Sequence, residues 1–146
     1  MKRIALFIFC LVTMCVATMK ADNEKPIQVS QLPAAARQFI KTYFADRKVM
    51  LAKVESELLS KTYEVMFDNG ASIDFDGKGN WQKVDCRTTA VPKQIIPSAI
   101  AEYVKAHYPD AVVVKIEKDR KEYDVKLSNR IELTFDLKFN LKDIDM

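Results

Sequence analysis

The sequence predicts an α+β protein in which one small unit, a helix packed on a four-stranded antiparallel sheet, occurs twice in tandem. Three observations carry this. In each half of the chain the apolar residues switch from a three-four period to a period of two, in the same order. An offset of 60 lays residues 61–86 over 121–146 without a gap. It matches Lys61, Tyr63, Val65, Asn69, Phe75, Asp76, Lys78, Asn80 and Asp85 with identical residues, where ordinary composition would give about one or two matches. An offset of 64 pairs Pro33, Lys41, Asp46 and Val49 with Pro97, Lys105, Asp110 and Val113, so the first copy carries four extra residues near its first strand and turn. The units occupy residues 30–86 and 95–146, joined by a polar linker at 87–94. They are expected to pack together, either as two sheets or as one continuous sheet.

The first 21 residues have the make-up of a secretory signal: Lys2 and Arg3, an apolar run over residues 4–17, then small residues before a polar stretch. The run is short for a membrane anchor, which needs about 20 apolar residues, and cleavage after Ala17 or Ala21 is expected. Cys10 and Cys15 follow Phe9 and Met14, residues too large for lipoprotein processing. The mature chain is therefore expected in the periplasm or outside the cell, with no stable membrane insertion.

Each unit then opens on a helix. Ala36, Phe39, Ile40, Tyr43 and Phe44 share one helical face, as do Ile100, Tyr103, Val104, His107 and Tyr108. Pro33 and Pro97 suit first helical positions, Ser30 suits a cap of the first helix, and Pro109 ends the second. Strict alternation follows: Tyr63, Val65 and Phe67 in the first unit, and Tyr123, Val125 and Leu127 in the second. Asp68-Asn69-Gly70 and Ser128-Asn129-Arg130 supply turns. Ile73 and Phe75, or Ile131, Leu133 and Phe135, resume the pattern. Flanking strands near residues 50–57 and 81–86, and near 112–117 and 141–145, bring each unit to four.

Removing residues 1–21 takes away Lys2, Arg3 and Lys20 and leaves a chain of balanced charge. No excess of positive charge remains to attract nucleic acid. Only Cys86 survives cleavage, so no internal disulfide is expected and stability must come from packing.

The stretch Asn80-Trp81-Gln82-Lys83-Val84-Asp85-Cys86, followed by Val91-Pro92 and by Ile96-Pro97 opening a helix, resembles the PepSY-like family of exported bacterial proteins. The Tyr-x-Val-x-Phe strand and Phe75-Asp76-Gly77-Lys78-Gly79 add to the resemblance, which spans residues 30–146. Members of that family are similar in fold to beta-lactamase inhibitor protein, a tandem of helix-on-sheet units. The resemblance implies such a fold; that inhibitor sends loop side chains into its target's active site, and no local motif carries those residues over to this chain. The second copy departs from the first by having Leu137, Phe139 and Leu141 in place of Gly77, Gly79 and Trp81.

Catalytic and cofactor chemistry has little to stand on. Asp74, Asp76, Gly79 and Asp85 fall at positions 1, 3, 6 and 12 of a calcium-loop template, but Lys78 occupies position 5, and strands rather than helices flank the loop. His107, the one histidine, lies on the helix face that should touch the sheet, and Cys86 reads as a buried inert thiol. No catalytic, cofactor or metal residues are expected. The candidate partner-binding residues are Trp81, just beyond the glycine turn, and those that alternation points away from the helices: Glu64, Met66, Ser72 and Asp74, with Lys126, Glu132 and Thr134 in the second copy. The expected function is that of an exported non-catalytic binding module, inhibitor-like in form. The alternative is an envelope protein that self-associates through a sheet edge.

Overall fold

The computed structural model describes residues 23–146; the expected signal sequence lies outside them. The described residues form one nine-stranded antiparallel sheet whose strands are ordered in space as they are in sequence. β1 (Glu24–Ile27) leads through a 3-10 turn at Val29–Gln31 into α1 (Ala34–Tyr43). β2 (Val49–Ser56), β3 (Lys61–Phe67), β4 (Ser72–Asp76) and β5 (Trp81–Asp85) then follow as hairpins. A second 3-10 turn at Lys93–Ile95 precedes α2 (Ser98–His107). β6 (Val113–Lys118), β7 (Glu122–Leu127), β8 (Glu132–Asp136) and β9 (Leu141–Asp145) complete the sheet.

Two separate four-stranded sheets do not form. β5 pairs directly with β6, placing Val84 opposite Ile116, and so the continuous-sheet arrangement is the one adopted. The sheet also gains β1, a strand the sequence pattern did not announce, which pairs with β2. The linker expected at residues 87–94 is held down: the Cys86 and Val91 amides donate to the Val114 and Val113 carbonyls at 2.8 Å each, and Val91 is buried.

Both helices cover the same face. Phe39 on α1 meets Phe75 edge-on at 5.6 Å, and Tyr103 on α2 meets Phe135 in the same way at 5.4 Å. Beneath them a register-matched row, Val65, Ile73, Val84, Ile116, Val125 and Leu133, crosses six strands with almost no exposure. Each such side chain contributes about 1.5–3 kcal/mol by leaving water. Because this row runs through the β5–β6 junction, the two halves share one core.

Pro33 and Pro97 stand one position before the helices rather than inside them, with extended backbone at ψ 146 and 137. Their rings fix the entry of the chain in place of a side-chain cap. Ser30 belongs to the preceding 3-10 turn and does not cap α1. Pro109 follows the end of α2 as expected, since it cannot continue a helix.

The hairpins of the two halves close with the same hydrogen bonds. The Asn69 carboxamide oxygen accepts from the Ala71 amide at 3.1 Å, and Asn129 from Ile131 at 3.1 Å. Asp76 Oδ1 accepts from the Lys78 and Asn80 amides at 2.9 Å, and Asp136 Oδ1 accepts from Lys138 and Asn140 at 2.9 Å. Gly79 sits at φ 87, where a Cβ would lie 2.8 Å from both the Ala36 backbone nitrogen and Pro33 Cβ. Glycine there lets the hairpin tip press on the start of α1.

Candidate functional site

Since both helices lie on one face, the opposite face is built by strand alternation alone. One row runs Lys53, Glu64, Asp74, Lys83, Glu117, Asp124, Thr134 and Asp143 across β2 to β9. The next contains Leu51, Met66, Ser72, Asp85, Lys115, Lys126, Glu132 and Asp145. Seven of the expected partner-binding residues, Glu64, Met66, Ser72, Asp74, Lys126, Glu132 and Thr134, thus share one surface. Ser72 lies in its row but is only 9% exposed, its short side chain sitting below the level of longer neighbours.

Most of the charges on this surface are paired. Lys53 Nζ reaches Glu24 at 3.0 Å and Glu64 at 3.1 Å, and these two hydrogen-bonded carboxylates hold its pKa above the ordinary value. Lys83 reaches Asp74 at 3.2 Å. Burial raises the Asp74 pKa even with that ammonium beside it, while for Lys83 the attraction of Asp74 outweighs burial and raises its pKa as well. The bridge therefore compensates the lysine fully and the aspartate only in part. In the second half the Lys126–Glu132 pair is longer, at 3.7 Å, and the Thr134 hydroxyl donates to Asp124 at 2.8 Å. A polar depression of about 250 Å³ lies there, with Asp143 and Asp145 on its rim. Pairs this exposed contribute about 0–1 kcal/mol each; they set the pattern of charge that a partner would meet.

Trp81 is elsewhere. It stands opposite Phe75, half-buried against the core on the helix side, with Lys118 Nζ 4.2 Å from its ring centroid. Burial lowers the Lys118 pKa, and the ring face supplies a cation–π contact. His107 lies at the exposed rim of α2, its Nδ1 3.0 Å from the Tyr103 carbonyl and its ring stacked on Tyr103 at 4.1 Å. Cys86 is 4% exposed, and burial together with the neighbouring Asp85 charge pushes its thiol up to about 11. Such a thiol is not a nucleophile at neutral pH.

The carboxylates of the calcium-loop template turn to different partners: Asp74 to Lys83, Asp76 to the amides of its own turn, and Asp85 to the Arg87 amide at 2.9 Å. Among the described residues no group of three or more His, Cys, Asp or Glu is placed to hold a metal ion. Among the same residues no helix is long and apolar enough to cross a membrane. An apolar hollow of about 400 Å³ opens between the linker and α2, lined by Val91, Ile96, Val104 and Val113.

Two exposed apolar features lie outside the expected binding residues, and the second includes the departures of the second copy at Leu137, Phe139 and Leu141. Leu58 and Leu59, at 102% and 101% exposure, project from the tip of the β2–β3 hairpin. They fall within the four-residue excess of the first half, a signal the offset had already supplied. Leu137, Phe139, Leu141 and Ile144 are exposed along the last hairpin, where their counterparts are Gly77, Gly79, the half-buried Trp81 and the buried Val84.

A family profile described as "putative beta-lactamase-inhibitor-like, PepSY-like" matches residues 61–143. A protein from Bacteroides thetaiotaomicron, described as "a putative calcium-regulated periplasmic protein", is 63% identical. The match covers 86% of this chain and 99% of that one, with a TM-score of 0.83. A putative periplasmic protein from Bacteroides vulgatus is 52% identical over 86% of this chain and 99% of its own, with a TM-score of 0.84. Another from that organism, described as of unknown function, is 35% identical over 84% of this chain and 99% of its own, with a TM-score of 0.80. No match is found among curated proteins. The nine-stranded sheet, the hairpin motifs and these matches place the chain in the PepSY-like family.

Proposed function

We propose that this protein is an exported, non-catalytic binding module of the periplasm or cell exterior that recognises a protein or peptide partner with the helix-free face of its sheet. The observation that carries this is the uncovered face itself: eight register-matched residues cross it, polar or charged throughout, on a frame held rigid by a shared core. The periplasmic description of the relatives and the signal-like first 21 residues support export. The parallel hairpins support a duplicated ancestral unit spanning residues 30–86 and 95–146. Leu58 and Leu59 give the first half an exposed apolar tip that a partner would cover.

The test is capture from periplasmic extract on the immobilised mature protein. A partner retained by the native protein is expected to be lost on E64K/D74K and weakened on L58S/L59S, both with native circular dichroism. No retained partner, together with no small ligand in a thermal-shift screen, contradicts the reading. It includes no metal either, so calcium titration is expected to give no micromolar heat, and such heat would overturn that part.

The second reading, self-association of an envelope protein through a sheet edge, draws on β9, which among the described residues pairs only with β8. A strictly monomeric mature protein at high concentration would remove it.

A further inference from the structure

We propose that the outer edge of β9, which among the described residues pairs only with β8, is a strand-addition site for an extended segment of another protein, one that alternates basic and apolar residues. The inference shares Asp143 and Asp145 with the helix-free face but needs only the edge of the sheet, and it rests on β5, the strand that corresponds to β9 at the offset of 60. β5 shows what a covered edge looks like in this fold. Its outer side is occupied by β6, which sets Ile116 against Val84 and Lys115 against Asp85. Val84 is thereby fully buried, whereas its counterpart Ile144 is 42% exposed and every residue of β9 is open to solvent. β6 is thus an internal template for the missing neighbour.

The side chains say how that neighbour must differ from β6. On the helix-free side β9 offers Asp143 and Asp145, where β5 has Lys83 and Asp85. A complementary strand therefore needs Lys or Arg at two alternate positions. On the helix side it meets Leu141 and Ile144, continued by Leu137 and Phe139 in the turn. Phe139 holds φ 65, a left-handed conformation costly for a residue with a Cβ, at a position where the first half has glycine. Its ring leans on Tyr123 at 5.5 Å and stays 37% exposed, which adds apolar surface beside the edge.

A second copy of this chain fits poorly. Antiparallel pairing of β9 with itself brings Asp143 and Asp145 against the same carboxylates. The other outer strand, β1, presents Glu24 on the helix-free side and Pro26, which has no N–H to donate. The two aspartates block pairing between copies without blocking a basic strand.

The experiment uses the mature protein and a fluorescein-labelled peptide carrying residues 111–118 with the E117K change, which places lysines at both alternate positions. Fluorescence anisotropy is expected to show saturable binding, and hydrogen exchange is expected to show new protection confined to β9. Binding is expected to weaken at least about tenfold in D143K/D145K and in I144K, a loss of the size expected on removing a buried interface anchor. E64K/D74K should bind unchanged, which separates this outcome from any failure of the helix-free face. The proposal is overturned by the absence of saturable binding, by equal binding of a peptide with glutamates in place of its lysines, by protection elsewhere, or by sedimentation of the free protein as a dimer that I144K dissolves.

Discussion

In the first half of the sheet Gly79 sits at φ 87 under the start of α1; in the second half the same place is held by Phe139 at φ 65, its ring 5.5 Å from Tyr123. Around both, the turn is identical: an aspartate accepts two amides at 2.9 Å, and the asparagine side chain donates to its second oxygen at 3.2 or 3.1 Å. Both halves also bulge at matching points, between Asp74 and Phe75 and between Thr134 and Phe135. The hydrogen-bonded frame is the same in both halves while the residues hung on it differ. At this hairpin and its edge the difference runs one way: what the first half covers with α1 or β6, the second half leaves in solvent.

The largest expected effect tests the sameness of the frame. Phe75 and Phe135 are buried at 0% and 1% exposure under equivalent aromatic rings. Phe75→Ala and Phe135→Ala should each cost about 3–5 kcal/mol in urea denaturation. A clear gap between them would show that the halves are not equally packed. Next comes the turn. Gly79→Phe should cost about 3 kcal/mol, because its side chain collides with α1 and its backbone is strained. Phe139→Gly should be close to neutral, within about 1 kcal/mol, since relief of strain offsets the lost Tyr123 contact. Edge burial separates the halves again. Val84→Ala should cost about 2 kcal/mol by leaving a cavity, while Ile144→Ala should stay within about 0.5 kcal/mol.

The smallest effect is in the pH profile. At Asp76 burial works to raise the pKa, but hydrogen bonds from Asn80 and from the Lys78 amide outweigh it and hold the carboxyl below its ordinary 3.8. At Asp136 the Asn140 amide does most of the lowering, and it prevails over desolvation. A depressed carboxyl contributes stability that is complete above the ordinary value and is lost as pH falls through the depressed one. Thermal melts should therefore hold steady down to about pH 4 and then fall. D76N and D136N should each flatten that acid-side fall. Asp74, raised by burial, has the opposite sign: its contribution is present at low pH and lost as pH rises through its elevated value.

Much of this was legible in the residues. Glu64, Asp74 and Thr134 could be assigned to the helix-free face because a period of two leaves no choice of side within a regular strand. Trp81 shows where that logic stops. Counted back from Lys83 by twos, it belongs to the helix-free face. The bulge sets two residues of β5 against one of β4 and returns the ring to the helix side opposite Phe75. β1 was invisible because Glu24, Lys25, Pro26 and Ile27 have no periodicity, and only pairing with β2 makes them a strand. One sheet against two was equally hidden, since it depends on β5 meeting β6 across a helix and a linker. The burial of Ser72 depends on the reach of its neighbours, and the exposure of Ile144 depends on which strand lies beyond it.

Everything proposed for the helix-free face and for β9 assumes that the nine strands behave as one body. Native-state hydrogen exchange in rising urea tests this most directly, by following the amides of Val65 and Val84 in the first half against Ile116 and Val125 in the second. A single sheet with a single core predicts that all four merge onto one global unfolding isotherm. Opening of β6 to β9 at lower urea, with β2 to β5 still protected, would contradict it.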